Sequence, residues 1–502
     1  MKLKLFILFS LIAVGALARP VNITLLFTTD VHGYIWPTTD YEGRENVGGF
    51  LRCAYQIEQL RAVHTNSLLL DMGDTFQGSP ESYLTRGRLL VDGLNVLRYD
   101  AWVLGNHELD WGPEALKSLH DQAEIPFLAA NLFFNKEEEN WLPKIQPYVI
   151  REIDGIKIAI IGLTTPGIPR WSRPYLLEGA MFKQSVVTLQ EVMPLVKEAG
   201  ADVIVVAAHQ GYKERGDDFA NEVQTIARAF PEIDVILGGH SHKPVADMRF
   251  GGVLYAQAGY HGIWLGQIDM VYDTVERKVV EKSGRLIDMD DGVPFHAALQ
   301  ERWADDLSAA KMQLDQVLGI IPEELSTSAD ALGRSPVQQL IGQAIADGTG
   351  AEIVLHGTLG DESIKAGPIT YRDVWKIVPY ENTIGVLELT TGEIRSVLSE
   401  GRGRYEASRS LAPYGFTYTV APQGPPEQRL TEFRDLDGNP LHGRRRYAVA
   451  MNSYTLASGG NRYNVVRDLA DAPESRLRML ANDTRQLVVD HIKRIYGEPA
   501  ED

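Results

Sequence analysis

The chain has 502 residues and a formal net charge of −18. Such acidity argues against general binding to nucleic acid, whose phosphates it would repel, and a single cysteine, Cys53, excludes an internal disulfide. The length predicts two or three domains, and an apolar content of 44% is ordinary for a soluble globular protein.

The first segment, "MKLKLFILFSLIAVGALARP", places Lys2 and Lys4 before a short apolar run that ends in Ala16-Leu17-Ala18. This pattern predicts a signal peptide over residues 1–18 and a mature protein exported to the periplasm or the extracellular space. No later stretch predicts a membrane span, and the polar end "IKRIYGEPAED" predicts no lipid anchor. From Val21 to about residue 240, short Val/Ile/Leu runs alternate with amphipathic segments. The runs "ITLLFTT", "SLLLD", "AWVLG", "FLAA", "KIAIIGL", "DVIVVAA" and "DVILGG" predict strands buried on both faces. "GGFLRCAYQIEQLRA", which contains Cys53 as a buried apolar residue, and "VVTLQEVMPLVKEAG" predict helices between them. After His242, "GGVLYAQAG", "IWLGQIDMVYD" and "KVVEKSGRLIDM" predict consecutive antiparallel strands. "PFHAALQERWADDLSAAKMQLDQVL" predicts one long linker helix within residues 291–317. A second α/β unit over residues 318–502 follows, with a helix in "SPVQQLIGQAIADGTG" and strands in "TIGVLELT", "GFTYTV" and "RRYAVAMN".

The chemistry lies at the ends of the first-unit strands. "LLFTTDVHG" ends with Asp30 and His32, and "LLLDMGDTFQG" with Asp71 and Asp74. "WVLGNHELD" ends with Asn106, His107 and Asp110, "VIVVAAHQG" with His209, and "VILGGHSH" with His240 and His242. Singly, each is a common cap or turn residue. Together they place metal-competent side chains after five strands, where α/β sheets bind their ligands. Six or seven N/O ligands exceed one tetrahedral zinc and suit two metals with a bridging carboxylate. Two ions about 3.5–4 Å apart are a standard device for hydrolysing phosphate esters.

The ordered motifs D-x-H, G-D-x-x-x-G, G-N-H-E-x-D, H and G-G-H-S-H resemble those of calcineurin-like metallophosphoesterases, and within them the secreted 5′-nucleotidase family. The resemblance implies a four-layer αββα sandwich over residues 19–290, joined by the linker helix to a smaller α/β substrate-binding domain. It implies that Asp30, His32 and His242 hold one divalent ion and Asn106, His209 and His240 the other, with Asp74 as the bridge. The ions would be Mn, Zn or Fe, and would activate a shared water. His107 would face the phosphoryl group, oriented by Asp110; Glu108 and Asp71 stay open between supporting the ligands and simple capping. The implied substrate is a small phosphate ester of nucleotide type, with no nucleic-acid polymer, membrane insertion or protein partner. The same ions equally suit a 2′,3′-cyclic nucleotide phosphodiesterase or a UDP-sugar hydrolase. A catalytically silent metal- or nucleotide-binding protein is the alternative of another class, disfavoured by the complete ligand set.

In the second unit the resemblance is looser. Tyr380, in "VPYENT", matches one aromatic that clamps the base. In "NSYTLASGGNRY" the family's second ring falls on Thr455, with Tyr454 beside it, and Asn461 replaces a usual Asp. His356 stands for a usual Asn and a family Arg is missing; Arg334 is the candidate to supply positive charge, with a solvated loop arginine as the plainer reading. Tyr380, Tyr454, Asn461 and Arg334 are the expected substrate contacts, and the departures predict changed or relaxed specificity.

Overall fold

The computed structural model describes residues 20–136, 140–172, 174–360, 362–406, 410–459 and 462–497. The predicted signal segment over residues 1–18 and Asn461 lie outside the described residues. No helix among the described residues is long and apolar enough to cross a membrane.

All seven buried runs form strands, and they divide between two six-stranded sheets. The first sheet runs Lys278–Asp288, Trp264–Asp273, Val21–Thr28, Ser67–Asp71, Ala101–Val103, Phe127–Leu128. The second runs Pro244–Phe250, Val253–Ala258, Val235–Gly238, Val203–Ala208, Ile156–Leu163, Tyr148–Ile153. Period-two alternation sends Leu25, Phe27 and Leu70 of the first sheet toward Ile158, Val205 and Leu237 of the second, making an apolar layer between them. Leu26, Leu69 and Trp102 face the other way, against helices Phe50–Val63, Arg88–Val96 and Pro113–Gln122. Ile161, Val206 and Ile236 meet helices Ser185–Glu198 and Val223–Ala229. The layers are therefore helix, sheet, sheet, helix.

Two expectations change. The three runs after His242 are not one antiparallel series. Val253–Ala258 pairs parallel with Val235–Gly238 in the second sheet, whereas Trp264–Asp273 and Lys278–Asp288 form a hairpin on the first. The wholly buried "VLYAQA" is a central strand, while the last strand alternates half-buried and exposed residues as an edge does. The expected single linker helix is two, Ala297–Arg302 and Ala304–Leu314, broken at Trp303. Trp303 is buried against the Phe50 ring and donates its indole N–H to Asp92 at 2.8 Å, which anchors the connection to the first unit.

The second unit has a five-stranded sheet, ordered Ala412–Tyr414, Ile353–His356, Arg446–Asn452, Thr383–Thr390, Arg478–Asp483. Helices Pro336–Thr349 and Thr484–Tyr496 cover one face, and Thr391–Arg404 the other. Thr370 and Thr390 start helices with reciprocal capping boxes, through Asp373 and Glu393 respectively. The first of these helices ends just before Tyr380, so the cap fixes the approach to that loop.

Candidate metal and phosphoester site

The central strands of both sheets deliver their ends to one rim, and the predicted ligands meet there. Asp30, His32 and His242 bring ligand atoms within 4.8 Å of one another, as do Asp74, His209 and His240. The two groups touch: Asp74 Oδ2 lies 3.0 Å from His209 Nε2 and 3.9 Å from His32 Nε2. Asn106 Oδ1 is 2.8 Å from His240 Nδ1. Asp30, Asp74 and His209 are fully buried, which is costly for polar groups unless each is matched.

The match is incomplete without a cation. The Nδ1 atoms of His209 and His32 lie 2.7 and 2.9 Å from the carbonyl oxygens of Met72 and Gln77. Each ring N–H is donated there, so Nε2 is the nitrogen left to meet a proton or a cation. His209 Nε2 is buried without a hydrogen-bond partner and faces the Asp74 carboxylate. His32 Nε2 faces His242 Nε2 at 3.0 Å. At that distance either a proton on His242 is donated to His32 or a cation lies between the two nitrogens. The titration behaviour shows the same demand for positive charge. Burial lowers the His209 pKa, but Asp74 and Asp30 carry it up to about 9, so in the absence of an ion a proton on Nε2 meets the carboxylates. His32 is pushed down to about 4 by burial and His242, and His240 to about 3 by burial and His209, so both rings are neutral and have a lone pair to offer an ion. Imidazole and carboxylate donors in two groups fit two divalent ions of borderline hardness.

The backbone is bent to achieve this. Asp30, His32, Asp74, His240 and His242 all have left-handed φ, between 50° and 69°. That region is uncommon outside glycine and costs of order 1 kcal/mol or more per residue. Two buried carboxylates hold the bends. Glu108 accepts the backbone N–H groups of Gly105, Asp74 and Thr75 at 2.7–2.9 Å. Asp71 accepts from Thr28 Oγ1, Thr75 Oγ1 and the Gly73 N–H. Both support the ligand loops rather than capping helices.

His107 Nδ1 lies 2.6 Å from Asp110 Oδ2, and the His107 backbone N–H donates to Asp74 Oδ1 at 2.8 Å. Burial opposes protonation of the ring, but Asp110 and Asp74 raise its pKa to about 10, so it carries its proton at neutral pH. Its side chain is partly exposed at the rim.

Sequence reasoning missed two neighbours. Tyr41, on an exposed loop, puts its hydroxyl 3.1 Å from His242 Nδ1 and stacks on Tyr260 with centroids 4.2 Å apart. His261 is buried, stacks on Tyr34 at 3.7 Å and meets His32 edge-on. Tyr41 belongs to no strand-end motif and carried no local signal, whereas His261 follows the buried strand Val253–Ala258 between two glycines and was legible on the same grounds as His240. Cys53 donates to the Gly262 carbonyl oxygen, and burial pushes its thiol up to about 12, as expected of an inert core residue.

On the second unit, Tyr380 and Tyr454 are both largely exposed, at 55% and 44%. Tyr380 lies close enough to raise the phenol pKa of Tyr34, Tyr41 and Tyr454, after the larger effect of burial on each, so the structure brings these rings into one neighbourhood. Thr455 is buried, which leaves Tyr454 as the ring that faces outward; it lies flat on Gly459, where a β-carbon would sit 2.2 Å from the ring. Arg334 departs from expectation. Its guanidinium is taken by Asp330 on the same loop, with Nε to Oδ2 at 2.8 Å. His356 is a core residue, with Nδ1 2.7 Å from the Gly357 carbonyl oxygen, and burial pushes its pKa down to about 4.

Residues 23–244 match the calcineurin-like phosphoesterase family, and residues 313–468 match the 5′-nucleotidase C-terminal domain. The first match places the layered unit and its paired clusters among the metallophosphoesterases. The second adds the C-terminal domain of 5′-nucleotidases, so the chain carries a metallophosphoesterase domain followed by a 5′-nucleotidase C-terminal domain. It is 27% identical to Protein UshA of Yersinia enterocolitica, covering 89% of this chain and 87% of that protein. It is 25% identical to the 2′,3′-cyclic-nucleotide 2′-phosphodiesterase/3′-nucleotidase of Haemophilus influenzae, covering 77% and 68%. A 5′-nucleotidase precursor from Thermus thermophilus superposes with a TM-score of 0.70 at 25% identity, covering 95% and 97%. A Staphylococcus aureus chain solved with α-ketoglutarate shares the fold at a TM-score of 0.80 and 24% identity, covering 95% and 98%.

The crowding at Gly105 yields a test. A β-carbon there would sit 2.2 Å from Asp74 Oδ1 and 2.6 Å from Glu108 Oε2. Gly105→Ala should displace the carboxylate and weaken Mn²⁺ binding roughly ten-fold or more, the scale for disturbing groups that orient metal ligands. Calorimetric titration of the folded variant checks this, and wild-type affinity would show that the loop absorbs the methyl group.

Proposed function

We propose that the protein is a dinuclear metal-dependent phosphoesterase that hydrolyses nucleotide-type phosphate esters. The observation that carries the reading is the pair of adjacent His/Asp clusters, with Asp74 of one 3.9 Å from His32 of the other, beside the proton-bearing His107. Asp30, His32 and His242 would hold one ion, Asn106, His209 and His240 the other, with Asp74 between. Divalent ions bound there would supply a nucleophilic water at neutral pH and positive charge for phosphoryl oxygens. They would also offset the acidity of the chain, so that an anionic substrate can approach. His107 stabilises the charge on a phosphoryl oxygen or gives its proton to the departing oxygen. Asp110 fixes the ring for that role. Tyr380 and Tyr454 offer flat faces on which a base can stack.

The domain reading follows: residues 19–290 are catalytic, 291–317 connect and 318–502 bind the substrate. The basic–apolar–small pattern over residues 1–18 supports export. A cyclic nucleotide on the same ions is a second reading, favoured by the cyclic phosphodiesterase among the relatives and by Arg334 being spent on Asp330. Screening the Mn-loaded protein against nucleoside monophosphates, cyclic nucleotides, UDP-sugars and simple phosphomonoesters decides between them. Turnover of none would leave a silent binding protein.

Three substitutions test the roles. Asp74→Asn should lower turnover by orders of magnitude in a folded protein, since both ions lose charge; near wild-type rates would remove Asp74 as the bridge. His107→Ala should lower kcat by roughly 10²–10⁴-fold, as for a positioned acid–base group. Metal analysis should then find the wild-type metal content, and loss of an ion would recast His107 as a ligand. Tyr380→Ala should raise KM for a nucleotide about ten-fold further than for phenyl phosphate, given stacking worth about 1–3 kcal/mol per base. Equal changes on both substrates would end the stacking role.

A further inference from the structure

Glu381 follows Tyr380 in the loop between helix Tyr371–Ile377 and strand Thr383–Thr390. Its carboxylate is buried, with only 4% of the side chain exposed, and its partners come from both units. Oε2 accepts from Gln77 Nε2 at 2.9 Å and from Trp111 Nε1 at 3.0 Å, both in the first unit. Oε1 lies 3.6 Å from Arg485 Nη1 in the second unit. Arg485 is itself buried: its guanidinium lies on the Trp375 ring, 3.2 Å from the centroid, and its Nε donates to the Val378 carbonyl oxygen at 3.0 Å.

Adhesion alone does not require this arrangement, because an apolar contact of the same volume seals an interface without the cost of burying charge. The two donors are also not arbitrary. The backbone carbonyl of Gln77 receives the His32 Nδ1–H, so the residue whose side chain grips Glu381 also sets the orientation of that imidazole. Trp111 follows Asp110, the carboxylate that holds His107, and packs on the Phe76 ring with centroids 5.0 Å apart. Two catalytic-side loops thus end on one carboxylate whose neighbour in the chain is the stacking tyrosine.

We propose that Glu381 is a positioning residue, which holds the His32 and His107 loops through Gln77 and Trp111 and ties their geometry to the seating of the Tyr380 loop. The proposal rests on the phosphoesterase reading for its kinetic effect and on the ligand geometry alone for its effect on metal binding.

The test uses the full chain with Gln77→Ala and Trp111→Phe, which remove one donor each and leave the buried Glu381–Arg485 pair intact. On phenyl phosphate each should lower kcat roughly ten-fold, the equivalent of one hydrogen bond to a charged group, with KM and the melting temperature near wild type. Glu381→Gln, which keeps one acceptor, should fall between wild type and Glu381→Ala. Adding Gln77→Ala to Glu381→Ala should cost little more than Glu381→Ala alone, because both break the same link. Wild-type kcat in Gln77→Ala and Trp111→Phe, or losses that multiply in the double variant, would overturn the proposal. If Glu381→Ala does not fold, the two donor variants still decide. If the wild-type protein hydrolyses no phosphate ester, the functional reading fails while calorimetry with Mn²⁺ still tests the positioning. Gln77→Ala should then weaken Mn²⁺ binding several-fold, and unchanged affinity would overturn it.

Discussion

The site depends on the Asp74 carboxylate, which is buried and gripped from every side. One oxygen accepts the His107 backbone N–H, and the other faces Nε2 of His209 and of His32. Burial works against its charge, yet His209 and His107 hold its pKa well below the usual carboxylate range. An anion kept in such a place demands positive charge beside it, which protons on the imidazoles or bound cations satisfy. The left-handed backbone at five of the clustered residues, the Glu108 clamp and the close approach at Gly105 are the structural cost of keeping Asp74 there.

This accounts for how much of the site is legible in the sequence. A strand buried on both faces must end where its polar residues meet solvent or a ligand, so Asp30, Asp74, Asn106, His209 and His240 stand out against apolar runs. The sheet assignment of "VLYAQA" is harder to read, because continuous burial is shared by any central strand and says nothing about which sheet receives it. The break at Trp303 has no local signal either, since it follows from the ring's burial against Phe50 and its bond to Asp92, more than 200 residues earlier.

The same distance hides the supporting residues. Tyr41 meets His242 across 201 positions, and Gln77 meets Glu381 across 304. Tyr41 lies outside every motif and Gln77 occupies an unspecified position of G-D-x-x-x-G, so each is an ordinary polar residue until the fold is built. The side of the "NSYTLASGG" turn that faces outward is also undecided by spacing. It is settled by packing: Thr455 is buried behind its Asn452 cap and the flat surface of Gly459 leaves room for the Tyr454 ring.

The two units divide the work by chemistry. The first concentrates imidazole and carboxylate at one rim, with His107 carrying a proton beside them. The second exposes the rings of Tyr380 and Tyr454, while Arg334 is neutralised by Asp330 and His356 is sealed in the core. Stacking tolerates many flat groups, whereas an arginine fork selects by hydrogen-bond geometry. On the proposed reading, a site that relied on rings for the leaving group and on ions for the phosphoryl group would be built for breadth among nucleotide-type esters. Its precision then has to come from how firmly the two units are registered, which gives the buried carboxylate of Glu381, spanning both, its importance.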